Sequence, residues 1–155
     1  MLWPSRAPDT IISLNSMAKS SPLPAGFLFS HPAHFIACGC GSGLSPVAPG
    51  TAGTLFAWAT FPLFALLLPN SASTYAVLAL LFIVGIAVCH RTGSDLGVID
   101  HGAIVWDEIV PFWTVLLFVP AGFAPTALLW QLLAFLVFRF FDIVKPFPAS
   151  WFDRH

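Results

Sequence analysis

Charged residues are scarce in this chain: only 8% of its 155 residues are Asp, Glu, Lys or Arg, against about 25% in soluble domains. The hydrophobic fraction is 57% and the mean hydropathy is +0.86. A water-soluble protein of this size could not cover its surface with so few charges. The composition therefore predicts an integral membrane protein. With six Lys and Arg residues and a formal net charge of -1, the chain also lacks the basic surface that nucleic-acid binding requires.

Cysteine is also scarce, with three residues in the whole chain. Cys38, Cys40 and Cys89 are too few for a disulfide scaffold, and a zinc site needs about four ligands. We interpret all three as small buried thiols.

The N-terminal residues 1–30 contain four prolines and no uninterrupted apolar core followed by a small-residue cleavage site. They therefore do not have the pattern of a signal peptide. We expect residues 1–30 to form a poorly ordered leader and residues 31–155 to form one membrane domain.

Long apolar runs predict the membrane helices. Ala52–Leu68 and Thr74–Cys89 approach the length of about 20 residues that spans a bilayer, and the short uncharged turn at 69–73 makes them a hairpin. A second charge-free stretch is broken at 120–125, and each half is too short to span the bilayer alone. The halves reach spanning length only if the first helix starts near Gly102 and the second continues to about Lys145. The predicted fold is an all-α membrane bundle of about four transmembrane helices in two hairpins.

The charged residues fall into three groups: residues before the first hairpin, residues 91–108 between the hairpins, and residues 139–154 after the second. With four crossings, all three groups lie on one face of the membrane. The opposite turns, 69–73 and 120–125, carry no charge. Because every Lys and Arg is on one side, the positive-inside rule predicts that this face is cytoplasmic.

The first candidate functional segment is the glycine-rich stretch Gly39–Thr54. Glycine allows close backbone approach to a ligand, Thr51 or Thr54 could cap the following helix, and a helix N-terminus suits an anion such as phosphate. Ser45 and Thr51 are the candidate phosphate contacts. A flexible entry loop with a re-entrant turn is the alternative interpretation.

The second segment places four carboxylates and a histidine within fourteen residues: Asp95, Asp100, His101, Asp107 and Glu108. Carboxylate oxygens suit Mg²⁺, which is typically held by one or two carboxylates together with waters and phosphate. Adjacent helical residues point about 100° apart, so we expect one of the last two acids to face the site directly. The alternative is an interfacial loop whose acids are solvated or paired with basic neighbours such as Arg91. The histidine could orient a ligand or serve as an acid or base.

The third segment contains Arg139, Asp142 and Lys145, which share one helical face because they are spaced by three. Arg can bind phosphate through two parallel hydrogen bonds, and Lys adds a point charge. A snorkelling basic boundary with a local Asp142–Lys145 pair is the alternative. With no nucleophilic triad or Walker loop in the sequence, these residue types support hydrolysis by metal-activated water.

In this order, the three segments resemble the phosphatidylglycerophosphatase A family. The matching stretches are Phe35–Leu55 (FIACGCGSGLSPVAPGTAGTL), Cys89–Ile109 (CHRTGSDLGVIDHGAIVWDEI) and Phe138–Arg154 (FRFFDIVKPFPASWFDR). The resemblance implies a bacterial inner-membrane, Mg²⁺-dependent phosphatase that converts phosphatidylglycerophosphate to phosphatidylglycerol. By position it implies that the acids bind metal and act in catalysis, and that the third segment contacts the headgroup. The implied metal ligands are Asp100, Asp107, Glu108 and Asp142, the first three also catalytic, with Arg139 and Lys145 as headgroup contacts.

The family continues beyond the WFDR motif into a segment with two aspartates and a further helix, whereas this sequence stops at His155. We therefore expect a C-terminally incomplete domain, and an inactive truncated homologue is one alternative. A small membrane transport or scaffold protein is another, because charges within the membrane and broken helices also occur along transport paths.

Overall fold

The computed structural model describes residues 21–68, 71–98 and 101–144, and all regular secondary structure within these ranges is helical. Asp100 and Lys145 lie outside the described residues, as do residues 1–20 of the predicted leader. The helices are α1 (Ala25–Leu28), α2 (Pro32–Ala37), a 3-10 helix (Gly39–Leu44), α3 (Pro49–Leu67), α4 (Ser71–Leu96), α5 (Trp106–Leu116) and α6 (Pro125–Val144).

Three of these helices are long and apolar enough to cross a membrane: Pro49–Leu67, Ala72–Leu96 and Pro125–Val144. The apolar runs in the sequence therefore predicted the membrane fold correctly. Their outward surfaces carry large apolar side chains such as Ile83 and Leu129, both about two-thirds exposed. In a bilayer, such surfaces are in contact with lipid.

Helix α3 begins earlier than predicted. Pro49 occupies its first turn, where a missing N–H costs nothing, and the N-cap is Ala48 in the left-handed region at φ 48°. The prediction that Thr51 or Thr54 caps this helix is therefore wrong, because both lie inside it. The Thr54 hydroxyl donates instead to the carbonyl of Gly50 at 2.9 Å.

Helix α5 is shorter than predicted, with 11 residues and a length of about 16 Å. It starts at Trp106 rather than near Gly102, because the residues before it are engaged elsewhere. The Ala103 N–H donates to the His101 ring at 3.1 Å, and the Val105 N–H donates to the carbonyl of Ala37 in α2 at 2.9 Å. The bundle thus has three helices of spanning length around one short helix.

The hydrophobic core lies along α5, where Ile109, Phe112 and Leu116 are fully buried. The indole N–H of Trp113 donates to the Ala57 carbonyl of α3 at 2.8 Å. Helices α3, α4 and α6 all pack on α5. This short helix therefore fixes the relative positions of the longer ones.

Glycines bring α3 and α4 close to the start of α5. A Cβ added to Gly53 would lie 2.7 Å from Val105, and one added to Gly85 would lie 2.6 Å from Trp106. Because neither position leaves room for a side chain, the first turn of α5 is held between the two helices. That turn carries Asp107 and Glu108.

Residues 21–30, the part of the predicted leader that the structure describes, include α1, with Leu28 buried.

Cys38 is buried, and burial raises the pKa of its thiol to about 11. Cys40 is exposed, so the prediction of a buried thiol is wrong there. It lies at φ 55° in a tight 3-10 segment that turns its side chain outward.

Candidate active site

Glu108 is the centre of a partly buried polar cluster formed by three helices. Nη1 of Arg139 donates to Oε2 of Glu108 at 2.6 Å and to Oδ2 of Asp142 at 2.6 Å. The Thr54 hydroxyl lies 3.3 Å from the same Glu108 oxygen. We call Thr54, Glu108, Arg139 and Asp142 the Glu108 cluster.

Local helix geometry accounts for each contribution to this cluster. Glu108 lies in the first turn of α5, where the helix dipole favours a negative charge. Arg139 and Asp142 are three residues apart on α6 and therefore share a face. The start of α5 and the C-terminal part of α6 consequently meet at one end of the bundle.

Gly50 allows α3 to approach this cluster. A Cβ added there would lie 2.2 Å from Oε1 of Glu108, so any larger residue must displace the carboxylate. The sequence indicated only that the segment was rich in glycine and threonine, and it did not single out Gly50 or the contact of Thr54 with Glu108.

The Glu108 cluster has an excess of carboxylate charge that favours a cation, and it also has one unused N–H donor that suits an anion. Two carboxylates share one guanidinium nitrogen, and the side chains of Arg139 and Glu108 are only 13% and 19% exposed. Nε of Arg139 is buried and has no hydrogen-bond partner within the described part of the chain. A guanidinium offers five donors in a planar fork, so this unused donor suits a phosphate oxygen.

Asp107 points to a different wall of the bundle from Glu108. It lines a cavity of about 250 Å³ between α4 and α5, together with Gly85, Cys89 and Trp106. The separation follows from helix geometry, because adjacent residues point about 100° apart.

The other predicted site residues lie in three separate places. The Ser45 hydroxyl donates to the Val47 carbonyl at 2.8 Å, in the loop before α3. Thr51 is half-buried in the first turn of α3. His101 is 3% exposed, and this burial lowers its pKa below the ordinary value of 6.5. Its ring accepts the Ala103 N–H and so helps to shape the loop that leads into α5.

A second polar cluster lies around Asp95 near the end of α4. Oδ2 of Asp95 accepts from Nε of Arg91 at 2.8 Å and lies 3.0 Å from Nε2 of His34. The other ring nitrogen of His34 lies 2.9 Å from the Ser30 hydroxyl. This Asp95 cluster includes the pairing of Arg91 with Asp95 that was expected for an interfacial loop. The contact with His34 was not predicted, because His34 is 61 residues from Asp95 in the sequence and no local pattern indicated it.

The donor set for a metal ion is partial within the described residues. No group of three or more His, Cys, Asp or Glu side chains in residues 21–68, 71–98 and 101–144 is arranged to hold a metal. Two of the predicted acids, Glu108 and Asp142, do converge on the Arg139 nitrogen. Two carboxylates fit the number that Mg²⁺ usually takes from protein.

Comparisons with known proteins agree with this description. The family model described as phosphatidylglycerophosphatase A matches residues 35–155. The chain is 42% identical over 129 residues to phosphatidylglycerophosphatase A of Escherichia coli strain K12, covering 81% of this chain and 70% of that protein. It is 42% identical over 138 residues to phosphatidylglycerophosphatase A of Haemophilus influenzae, covering 89% and 81%. A Bacteroides thetaiotaomicron protein provisionally named a phosphatidylinositol-3-phosphatase is 41% identical over 115 residues, covering 72% and 70%.

No solved structure gives a significant match to this chain. The helical membrane fold and these relatives together define a membrane phosphatase. The chain belongs to the phosphatidylglycerophosphatase A family.

Proposed function

We propose that this protein hydrolyses the terminal phosphate of phosphatidylglycerophosphate, giving phosphatidylglycerol and inorganic phosphate in a Mg²⁺-dependent reaction. The family membership supports the substrate. The single observation that best supports the chemistry is the buried Arg139 guanidinium, which holds Glu108 and Asp142 through one nitrogen and leaves Nε without a partner among the described residues.

Arg139 is the phosphate-binding group in this proposal. Its fork can donate to two phosphoryl oxygens and stabilise the charge that develops on them during transfer. Burial strengthens this interaction, because a low dielectric weakens charge interactions less than water does. Lys145, Ser45 and Thr51 remain candidates for further contacts with the headgroup phosphate.

Glu108 is the proposed general base. Its carboxylate accepts a proton from the attacking water, and the water oxygen bonds to phosphorus as the bond from phosphorus to the glycerol oxygen breaks. The glycerol oxygen leaves with the electron pair of that bond and takes up a proton, which Glu108 can return, to form the hydroxyl of phosphatidylglycerol. The Thr54 hydroxyl helps to hold the carboxylate in place, and the absence of a side chain at Gly50 leaves space for it.

Glu108 and Asp142 would hold Mg²⁺, with Asp107 and Asp100 as further candidate ligands. When bound, the ion supplies Lewis-acid polarisation of the phosphoryl group. The cluster as described carries two carboxylates against one guanidinium, so an added cation is electrostatically favourable.

We place the reaction at the cytoplasmic face of the bacterial inner membrane. Both arginines within the described part of the chain, Arg91 and Arg139, lie near the C-terminal ends of spanning helices. Both of these ends lie beside the start of α5, because Cys89 lines a cavity with Asp107 and Arg139 bonds Glu108. The positive-inside rule makes that end cytoplasmic.

The experiment is phosphate release by the purified chain in detergent, with phosphatidylglycerophosphate as substrate and with either Mg²⁺ or EDTA. We expect release with Mg²⁺ that EDTA abolishes. Phosphatidylinositol 3-phosphate, suggested by the name of the third relative, and phosphatidic acid serve as competing substrates. Faster release from either one would contradict the proposed substrate, and release in EDTA would contradict the metal.

A further inference from the structure

An apolar groove of about 960 Å³ lies between α3 and α6. Leu55, Trp58, Pro62 and Leu66 line it from α3, and Leu128 and Gln131 line it from α6. We call it the α3–α6 groove. Leu55, Leu66 and Leu128 are all exposed, so the groove opens on the surface that meets lipid.

The α3–α6 groove and the Glu108 cluster share one face of α3. Trp58, which lines the groove, lies one turn after Thr54, whose hydroxyl contacts Glu108. The same two helices that form the groove also supply Thr54 and Arg139 to the cluster. A substrate whose phosphate lies at Arg139 would therefore find an apolar channel between the helices that bind it.

The length of the groove matches one leaflet of a bilayer. From Leu55 to Leu66 the helix rises about 16 Å, which is roughly half of the 30 Å hydrocarbon core. A lipid whose headgroup is at one face extends its acyl chains over this depth.

The floor of the groove is fixed by a satisfied polar bridge. The indole N–H of Trp58 donates to the Gln131 side-chain oxygen at 2.7 Å. The Gln131 amide nitrogen donates to the carbonyls of Pro120 and Gly122 at 3.0 Å and 3.1 Å. This bridge ties α3, α6 and the loop between α5 and α6 together, and its polar atoms are already bonded, so an apolar occupant leaves none of them unpaired.

We propose that the α3–α6 groove holds one acyl chain of the substrate lipid while the phosphate lies at the Glu108 cluster. This inference rests on the proposed function. The groove gives the enzyme a preference for long-chain substrates beyond what headgroup recognition provides.

Filling the groove tests the proposal. Ala59→Trp places a large ring in the groove wall, and Ala65→Trp fills its far end. The matched control is Ala76→Trp, at an exposed position on α4. The readout is kcat/KM for dioleoyl, dioctanoyl and dihexanoyl phosphatidylglycerophosphate in mixed micelles.

We expect Ala59→Trp to lower kcat/KM for the dioleoyl substrate about tenfold, a typical effect in an apolar specificity pocket, with little change for the dihexanoyl substrate. Ala65→Trp should affect only the longest chains, and Ala76→Trp should leave the chain-length profile unchanged. Normal wild-type activity with an unchanged chain-length profile in both groove variants would overturn the groove proposal alone. A wild type without activity on any chain length would instead count against the proposed function.

Discussion

The two polar clusters at the same end of the bundle both pair an arginine with carboxylates, but they differ in how far the arginine is buried. In the Glu108 cluster, Arg139 is 13% exposed and bonds two carboxylates. In the Asp95 cluster, Arg91 is 58% exposed and bonds one. Exposed pairs contribute about 0–1 kcal/mol, whereas removing one partner of a buried pair costs about 3–5 kcal/mol. This difference supports our proposal that the chemistry lies in the Glu108 cluster, with the Asp95 cluster in a bracing role.

The largest effect should come from Arg139→Met. This change removes the phosphate-binding fork and leaves the buried carboxylate of Glu108 uncompensated. We expect kcat for phosphatidylglycerophosphate to fall by at least about 100-fold, and thermal unfolding in detergent to move to lower temperature. The control is Arg91→Met, which should retain activity. Equal losses in the two variants would remove the distinction between the clusters.

Gly50→Ala should have the next largest effect. The added Cβ would meet the Glu108 carboxylate, so the carboxylate must move while the helices stay packed. We expect about a tenfold loss of kcat, in line with a small misplacement of a reacting group, and a smaller change in unfolding temperature. The matched control is Gly26→Ala, where an added Cβ meets nothing within 4 Å. Wild-type activity in Gly50→Ala would show that the position of Glu108 does not matter.

His101 adds a buried group without a nearby acid to the comparison, because within the described part of the chain its ring contacts the Ala103 N–H and the Ser21 hydroxyl. Burial lowers its pKa in the folded protein below the ordinary value of 6.5. Stability should therefore be fully present above that pH and be lost as the pH falls through the folded-state pKa. Unfolding temperatures at about pH 7.5 and about pH 5.5 measure this loss, and His101→Gln should reduce it. An equal pH dependence in the variant would assign the effect to other groups.

The smallest effect should come from Arg91→Gln. The exposed pair with Asp95 is screened by water and weakens further with salt, so its loss should cost little stability. We expect activity within about twofold of wild type and a small drop in unfolding temperature that shrinks at high salt. A large loss of activity would move the Asp95 cluster into the catalytic machinery.

The sequence predicted the membrane helices well, because spanning length and apolarity are local properties. It also placed Arg139 and Asp142 on one face through their spacing of three residues. It could not show that Glu108 meets Arg139, 31 residues away, or that His34 meets Asp95, because both contacts depend on how the helices pack. The late start of α5 was missed for the same reason, since the Val105 N–H bonds the distant Ala37 carbonyl. The roles of Asp100 and Lys145 stay predictions, because both residues lie outside the described part of the chain.

The most direct test of the division between the two clusters is one comparison of phosphate release. Glu108→Gln and Asp95→Asn each replace a carboxylate with its amide at almost unchanged volume. With phosphatidylglycerophosphate and Mg²⁺, we predict that Glu108→Gln loses at least about 100-fold in kcat, whereas Asp95→Asn stays near the wild-type rate. Full activity in Glu108→Gln together with loss of activity in Asp95→Asn would contradict the assignment of catalysis to the buried cluster.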